Sequence, residues 1–140
     1  MTRTTLIDND FITLYFHEDT KIIHHVYKNG IHGDYLKDGL NTGTDKLIET
    51  GAVKWLSDNR AIEGVTDEES AWINESWLPR TIEAGWKFWA LVVPENVMGQ
   101  MNMVQFINSF AEQGVKVMVF TDDNNAMNWL VGVDRGTTES

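Results

Sequence analysis

The chain is 140 residues long, 42 % apolar, free of cysteine, and carries a formal charge of −10. That length suits one domain with a full hydrophobic core, and the lack of cysteine excludes disulfides, thiolate metal sites and cysteine nucleophiles. With no Lys/Arg cluster, the acidity argues against nucleic acid and against docking on anionic lipid; no apolar run is long enough to span a membrane, and no secretory segment follows Met-Thr-Arg, so a cytoplasmic location is expected.

In chain order, residues 11–17 (Phe-Ile-Thr-Leu-Tyr-Phe-His) and 22–28 (Ile-Ile-His-His-Val-Tyr-Lys) are rich in β-branched and aromatic types. The short polar link Glu18-Asp19-Thr20-Lys21 makes them an antiparallel hairpin. From Asp34 onward, Leu36, Leu40, Gly43 and Leu47 mark one helix face, closed by Gly51. Gly39 and Gly43 each weaken such a helix by about 1 kcal/mol relative to alanine, and leave room for another element to approach. A strand follows over 53–57. Thr66-Asp67-Glu68-Glu69 is a capping box opening a helix through Trp72, Ile73 and Trp77. Pro79 would clash with the carbonyl of Glu75, which predicts a kink or a second short helix starting on the proline, ended by Gly85. Residues 87–93 are apolar without alternation, as in a central strand buried on both faces. Met103, Phe106, Ile107 and Phe110 predict a helix over 102–113. The last strand spans 115–120, and Thr121 or Asp122 caps a final helix carrying Ala126, Met127, Trp129 and Leu130. Residues 134–140 form a polar tail.

This order, β-β-α-β-α-β-α-β-α, predicts a single α/β domain with its core over residues 8–133. The expected sheet is mixed but mostly parallel, with about five strands and four helices joined by right-handed crossovers.

Trp55-Leu56-Ser57-Asp58-Asn59-Arg60, Ala84-Gly85-Trp86-Lys87 and Phe120-Thr121-Asp122 before Ala126-Met127-Asn128-Trp129-Leu130, together with the element order, carry a family likeness. The chain resembles the STAS domain (sulfate transporter and anti-sigma factor antagonist), in particular STAS-like proteins of bacteria, and the related CRAL–TRIO lipid-binding fold. The resemblance implies a STAS-like fold and a protein-binding, regulatory role. It would also place a phosphorylated Ser or Thr at the start of the helix after the third strand. Thr66 is the nearest hydroxyl there, but Asp67, Glu68 and Glu69 follow it, and like-charge repulsion disfavours phosphate beside them. A capping role accounts for Thr66. The chain is short for the large apolar cavity of CRAL–TRIO proteins.

Three groups of residues are candidates for function. Ser57, Asp58, Asn59 and Arg60 follow one expected strand, Glu95 and Asn96 follow another, and Thr121, Asp122 and Asp123 follow a third. Parallel neighbours would bring them to one carboxyl edge, where α/β folds place ligands. Arg60 could pair a carboxylate or phosphate there, whereas caps and turns use the same residue types without a ligand. Among the histidines, His17 and His24 would share a hairpin face near Glu18 and Asp19. No metal-binding spacing occurs, so no metal is expected, and the histidines read as solvent-facing or satisfied in the core. Finally, six tryptophans is a high count for this length. Trp72, Ile73 and Trp77 face away from Ala71, Leu78 and Ile82 on one helical wheel, as in a helix that is either deeply buried or faces a partner.

No catalytic residue and no cofactor motif is found. The expected function is a non-enzymatic STAS-like interaction or regulatory module, binding a protein partner or forming a homodimer through Trp72, Ile73 and Trp77. The alternative is a binder of a small polar ligand, lipid or nucleotide, or an enzyme, using Asp58, Arg60 and Asp122.

Overall fold

The computed structural model describes residues 3–61, 66–98, 108 and 110–134. Its six strands are β1 (Arg3–Asp8), β2 (Ile12–His17), β3 (Ile22–Tyr27), β4 (Lys54–Asp58), β5 (Phe88–Val92) and β6 (Lys116–Phe120). They lie side by side in chain order. The first three pair antiparallel, and β3 to β6 pair parallel. The α/β class and the mixed, mostly parallel sheet are therefore as expected, and β5 and β6 are parallel neighbours.

The strand count is corrected from about five to six. Arg3–Asp8 carries no apolar run that would mark it as a strand, because it is a half-exposed edge with threonines side by side. A bulge between Thr5 and Ile7 breaks its register, which blunts the edge against further pairing.

Helix α1 (Gly33–Thr50) joins β3 to β4 and buries Leu36, Gly39, Leu40, Gly43, Thr44 and Leu47. It ends where Gly51, at φ 74°, returns its N–H to the carbonyl of Leu47. The strip of small residues lets α1 lie close on the sheet: Gly39 faces Ile12, and Gly43 faces Trp55 and Ile23.

Between β4 and β5 come α2 (Asp67–Trp72), a π turn (Ile73–Trp77) and α3 (Leu78–Glu83). The expected interruption at Pro79 takes this form. The helix widens by one residue, so that Leu78 N–H bonds to the carbonyl of Ile73, and the proline sits second in the regular turn that follows. A π bulge absorbs the missing donor and the ring without breaking the chain direction. Short α4 (Glu95–Met98) follows β5, and α5 (Asp123–Gly132) follows β6. Of the stripe expected over 102–113, only Phe110 lies within the described residues; its ring packs 5.1 Å from that of Trp89.

Consecutive parallel strands joined by right-handed crossovers put their helices on one face. Accordingly, side chains of α1, the π turn and α3 share a core with Ile12, Leu14, Phe16, Ile23, Trp55 and Val117. Helix α5 covers the other face, where Ala126 and Leu130 meet Ile22, Leu56, Ala90 and Val92.

The tryptophans form a chain through the first core. Trp77 lies 5.3 Å from Trp55 and 5.5 Å from Trp86, and Trp86 lies 5.1 Å from Trp89. Edge-to-face and tilted contacts of this kind add to burial. The indole N–H groups are also used: Trp77 donates to Leu40 O and Thr44 Oγ1, and Trp89 to Ser57 Oγ.

Candidate functional site

The carboxyl edge of the parallel strands carries the densest polar groups, and strand alternation divides them between two faces. On the α1 face, His25 of β3 pairs in register with Ser57 of β4. Trp55 Nε1 donates to His25 Nδ1 at 3.0 Å. The proton of a neutral His25 must then sit on Nε2, which lies 2.9 Å from Asn59 Oδ1 and donates to it. Burial outweighs the bond to Asn59 and the charge of Asp58 and holds His25 at about 4, below its ordinary 6.5. Its ring lies 4.0 Å from that of Tyr27, whose phenol is pushed up by burial and by the nearby charge of Glu69.

Glu69 ties two helix starts together. Its carboxylate accepts from Thr66 N at 2.9 Å within the α2 capping box, and from Gly33 N at 2.6 Å at the start of α1. His32 Nδ1 lies 3.1 Å from the same carboxylate. Burial would raise its pKa, but the bonds from Thr66, Gly33 and His32 prevail and hold it at about 2. The capping box was legible in the sequence. The second cap was not, because it requires the two helix N-termini to be neighbours. Replacing Glu69 with glutamine is expected to cost about 1–2 kcal/mol at neutral pH. A carboxylate with a lowered folded pKa stabilises above its unfolded value and loses that contribution as pH falls. The difference between wild type and variant in urea unfolding should therefore shrink from about pH 4.5 downward; a gap independent of pH would rule out the charged cap.

On the α5 face, Asp58 receives a fork from Arg60, Nε at 3.0 Å and Nη2 at 2.7 Å, and also the Arg60 backbone N–H. Burial alone would raise Asp58, but the bonds from Arg60 hold it below its ordinary value, and Asp58 raises Arg60 in return. Asp123 approaches the same guanidinium at 3.9 Å. Asp122 is the cap chosen between the two expected residues: it accepts from Asn125 N at 2.8 Å.

No family model, curated protein or solved structure matches this chain.

Of the strand-end residues, Asp58 and Arg60 pair with each other, Asp123 approaches Arg60 and the charge of Asp122 acts on the same guanidinium, and Thr121 is half-buried after β6. Ser57 and Asn59 do not join them. The carboxyl edge is thus divided between two faces, since residues 57 and 59 point to the opposite face from 58. Glu95 and Asn96 are exposed at the start of α4.

For Trp77 the expectation of an interface is corrected. Trp77 is 5 % exposed and bonded inside the core, because the π turn rotates it onto α1. Trp72 and Ile73 are half-buried against the same core, with the Lys37 ammonium 5.5 Å over the Trp72 ring. The outer side of this segment presents Asn74, Glu75 and Ser76 instead. Among the described residues, only Tyr35, Ile48 and Val97 are large exposed hydrophobics.

His17 and His24 share a face of the hairpin as expected, but both are buried, and each keeps a ring nitrogen without a partner. The expectation that they are solvent-facing or satisfied is thus corrected. Among the described residues, no three His, Asp or Glu side chains gather as a metal-binding group, and no helix is long and apolar enough to cross a membrane. A depression of about 480 Å³ opens at the opposite, amino end of β5 and β6, between Lys87, Phe88, Gly114 and Lys116.

Proposed function

We propose that this chain is a non-enzymatic interaction or regulatory module of the STAS-like kind, acting in the cytoplasm. It meets its partner, a second copy of itself in the first instance, across the carboxyl rim centred on Arg60. The observation that carries this reading is how the polar groups of that edge are used. His25, Glu69, Asp58 and Asp122 are each held by neighbours within the fold. Such an edge is a fixed surface rather than an acid–base pair with protons to move. Arg60 is locked by Asp58 yet leaves 39 % of its side chain accessible. A guanidinium already fixed in place loses little freedom on contact, and arginine is favoured at the centres of interfaces.

Light scattering at high micromolar concentration tests the proposal. The wild type is expected to be a dimer. Arg60→Glu, which sets a carboxylate against Asp58 and Asp123, is expected to be a folded monomer. A wild type that stays monomeric, or a folded variant that stays dimeric, removes this surface.

The accessible guanidinium also favours a second reading, capture of a small polar anion. Inorganic phosphate and a small dicarboxylate are the probes. At a hundred times its Kd such a ligand would stabilise the fold by about 2.7 kcal/mol, read as a rise in Tm. The rise should vanish in Arg60→Gln; no rise with either probe would reject this second reading.

A further inference from the structure

The β2–β3 hairpin contains a histidine pair that belongs to neither the carboxyl rim nor the tryptophan core. Tyr15 stands opposite His24, and His17 opposite Ile22, so the two histidines are diagonal neighbours on one face. His17 Nε2 and His24 Nδ1 are 3.1 Å apart. The ring centroids are 5.3 Å apart, and the planes differ by 19°. The centroid gap exceeds the nitrogen gap by about two ring radii, so the rings lie edge to edge and share one hydrogen bond. Nitrogens that face each other in this way do not converge on a common metal.

His17 is 5 % exposed and His24 7 %. Their outer nitrogens, His17 Nδ1 and His24 Nε2, have no hydrogen-bond partner, nor does the hydroxyl of Thr20 in the adjoining turn. With both rings neutral, one proton fills the shared bond. The other sits on an outer nitrogen, leaving one buried N–H and one buried lone pair unused, whichever tautomers are present. A first added proton goes to the bare outer nitrogen and creates a second unpaired N–H together with a buried charge. A second added proton must enter the shared bond and destroy it. The pair therefore tolerates the neutral state alone.

The surrounding charges do not relieve this. Arg3 of β1 lies 4.0 Å over the Tyr15 ring, which itself packs on both histidines, and its charge opposes protonation. His25 of β3 opposes it as well. Asp19 of the turn favours protonation of His17, and Asp58 of β4 that of His24, but Asp58 is already held by Arg60. Lys54 of β4, opposite Ile22, has its ammonium on Asp134. Burial first, and then the neighbouring cations, hold His17 below its ordinary value and His24 at about 3.

We propose that the His17–His24 pair is an acid trigger: the fold holds while the pair is neutral, and opens in mild acid by taking up protons at these two rings. The unfolded chain binds those protons near pH 6.5, whereas burial holds both rings of the folded chain below that value. Between those limits the unfolded state holds more protons, so stability falls as pH drops below about 6.5. Each buried imidazole raises the unfolding constant about tenfold per pH unit in that window. His25, held at about 4, adds to the same slope. Carboxylates titrate mainly below about pH 4.5, so the upper window belongs to the imidazoles.

Urea unfolding of the full chain, repeated from about pH 7.5 to about pH 5, reads the number of protons taken up. The logarithm of the unfolding constant is expected to rise with a slope approaching about three per pH unit in the wild type. It should approach about two in His17→Gln or His24→Gln, and about one in the double variant. A flat wild-type profile, or the same slope in a folded double variant, overturns the proposal. If the variants do not fold, histidine-ring NMR of the wild type decides, with His17 and His24 assigned through their contacts with Tyr15. In the folded protein both rings should titrate below the ordinary midpoint; a His17 or His24 signal titrating at that midpoint would overturn it.

Discussion

Replacing Trp77 with alanine is expected to remove about 3–5 kcal/mol of stability, the usual cost of emptying a large aromatic site in a core. Trp77 joins α1 to the aromatic core through both its ring and its N–H. The ring meets Trp55 and Trp86 at 5.3 and 5.5 Å. The indole N–H reaches Leu40 O at 3.0 Å and Thr44 Oγ1 at 2.8 Å. Thr81 Oγ1 donates to the Trp77 carbonyl and lies 2.8 Å from Thr44 Oγ1, so two buried hydroxyls depend on the same residue. Trp77→Phe keeps most of the volume and loses the donor, at an expected cost of about 1–3 kcal/mol. Urea unfolding measures both losses. Light scattering separates this role from an interface: a folded Trp77→Phe variant should keep the oligomeric state of the wild type. A near-neutral Trp77→Ala would mean that the residue is not in the core.

Gly43→Ala is expected to destabilise by about 1–3 kcal/mol through overpacking, even though alanine improves an exposed helix position by about 1 kcal/mol. The added Cβ would lie on the indole of Trp55, 2.8 Å from Cζ2, and 3.2 Å from Ile23 Cγ2. That indole cannot yield easily, because its N–H is fixed on His25 and its ring is packed by Trp77 and Trp86. Gly39 provides a graded comparison. Its added Cβ would meet the end of the Ile12 side chain, Cδ1, with Cγ1 at 3.8 Å, and a flexible terminus can move, so Gly39→Ala should cost less. Gly132 meets nothing within 4 Å, and Gly132→Ala should be neutral or stabilising by up to about 1 kcal/mol. Trp55→Leu should partly rescue Gly43→Ala in a double-mutant cycle, since the two sites share the contact. Equal costs at Gly39 and Gly43 would disprove the close approach.

The acid response should separate by pH. The buried imidazoles act below about pH 6.5, whereas the Glu69 cap weakens only below about pH 4.5. A fold already opened by the histidines will not show the second transition, so Glu69 is best read in a chain lacking His17 and His24.

Much of the architecture was legible in the residues themselves. The hairpin around Glu18–Lys21, helix α1 with its end at Gly51, the Thr66 capping box and the parallel strands β4, β5 and β6 rest on local signals. Side-chain periodicity, a cap three residues from its partner and a glycine at positive φ act within one element, so one element's sequence reports them. The edge strand β1 lacked such a signal because half of it faces solvent. The candidate site was legible only as a list of residue types. Ser57 and Asn59 fall on one face, and Asp58 and Arg60 on the other, a split that period-two alternation imposes once the strand is flanked on both sides.

The sequence by itself determined that Trp77 is large, apolar and on a helix; only the tertiary structure decided that a π turn before Pro79 points it inward. It likewise determined that Glu69 caps α2, whereas the packing of α1 beside α2 made the same carboxylate cap both. His25 and Trp55, and His17 and His24, became partners through strand register. The physical reason is the same in each case. Local conformational preferences are set by neighbours in the chain, whereas hydrogen bonds between elements, burial and the resulting pKa shifts are set by neighbours in space.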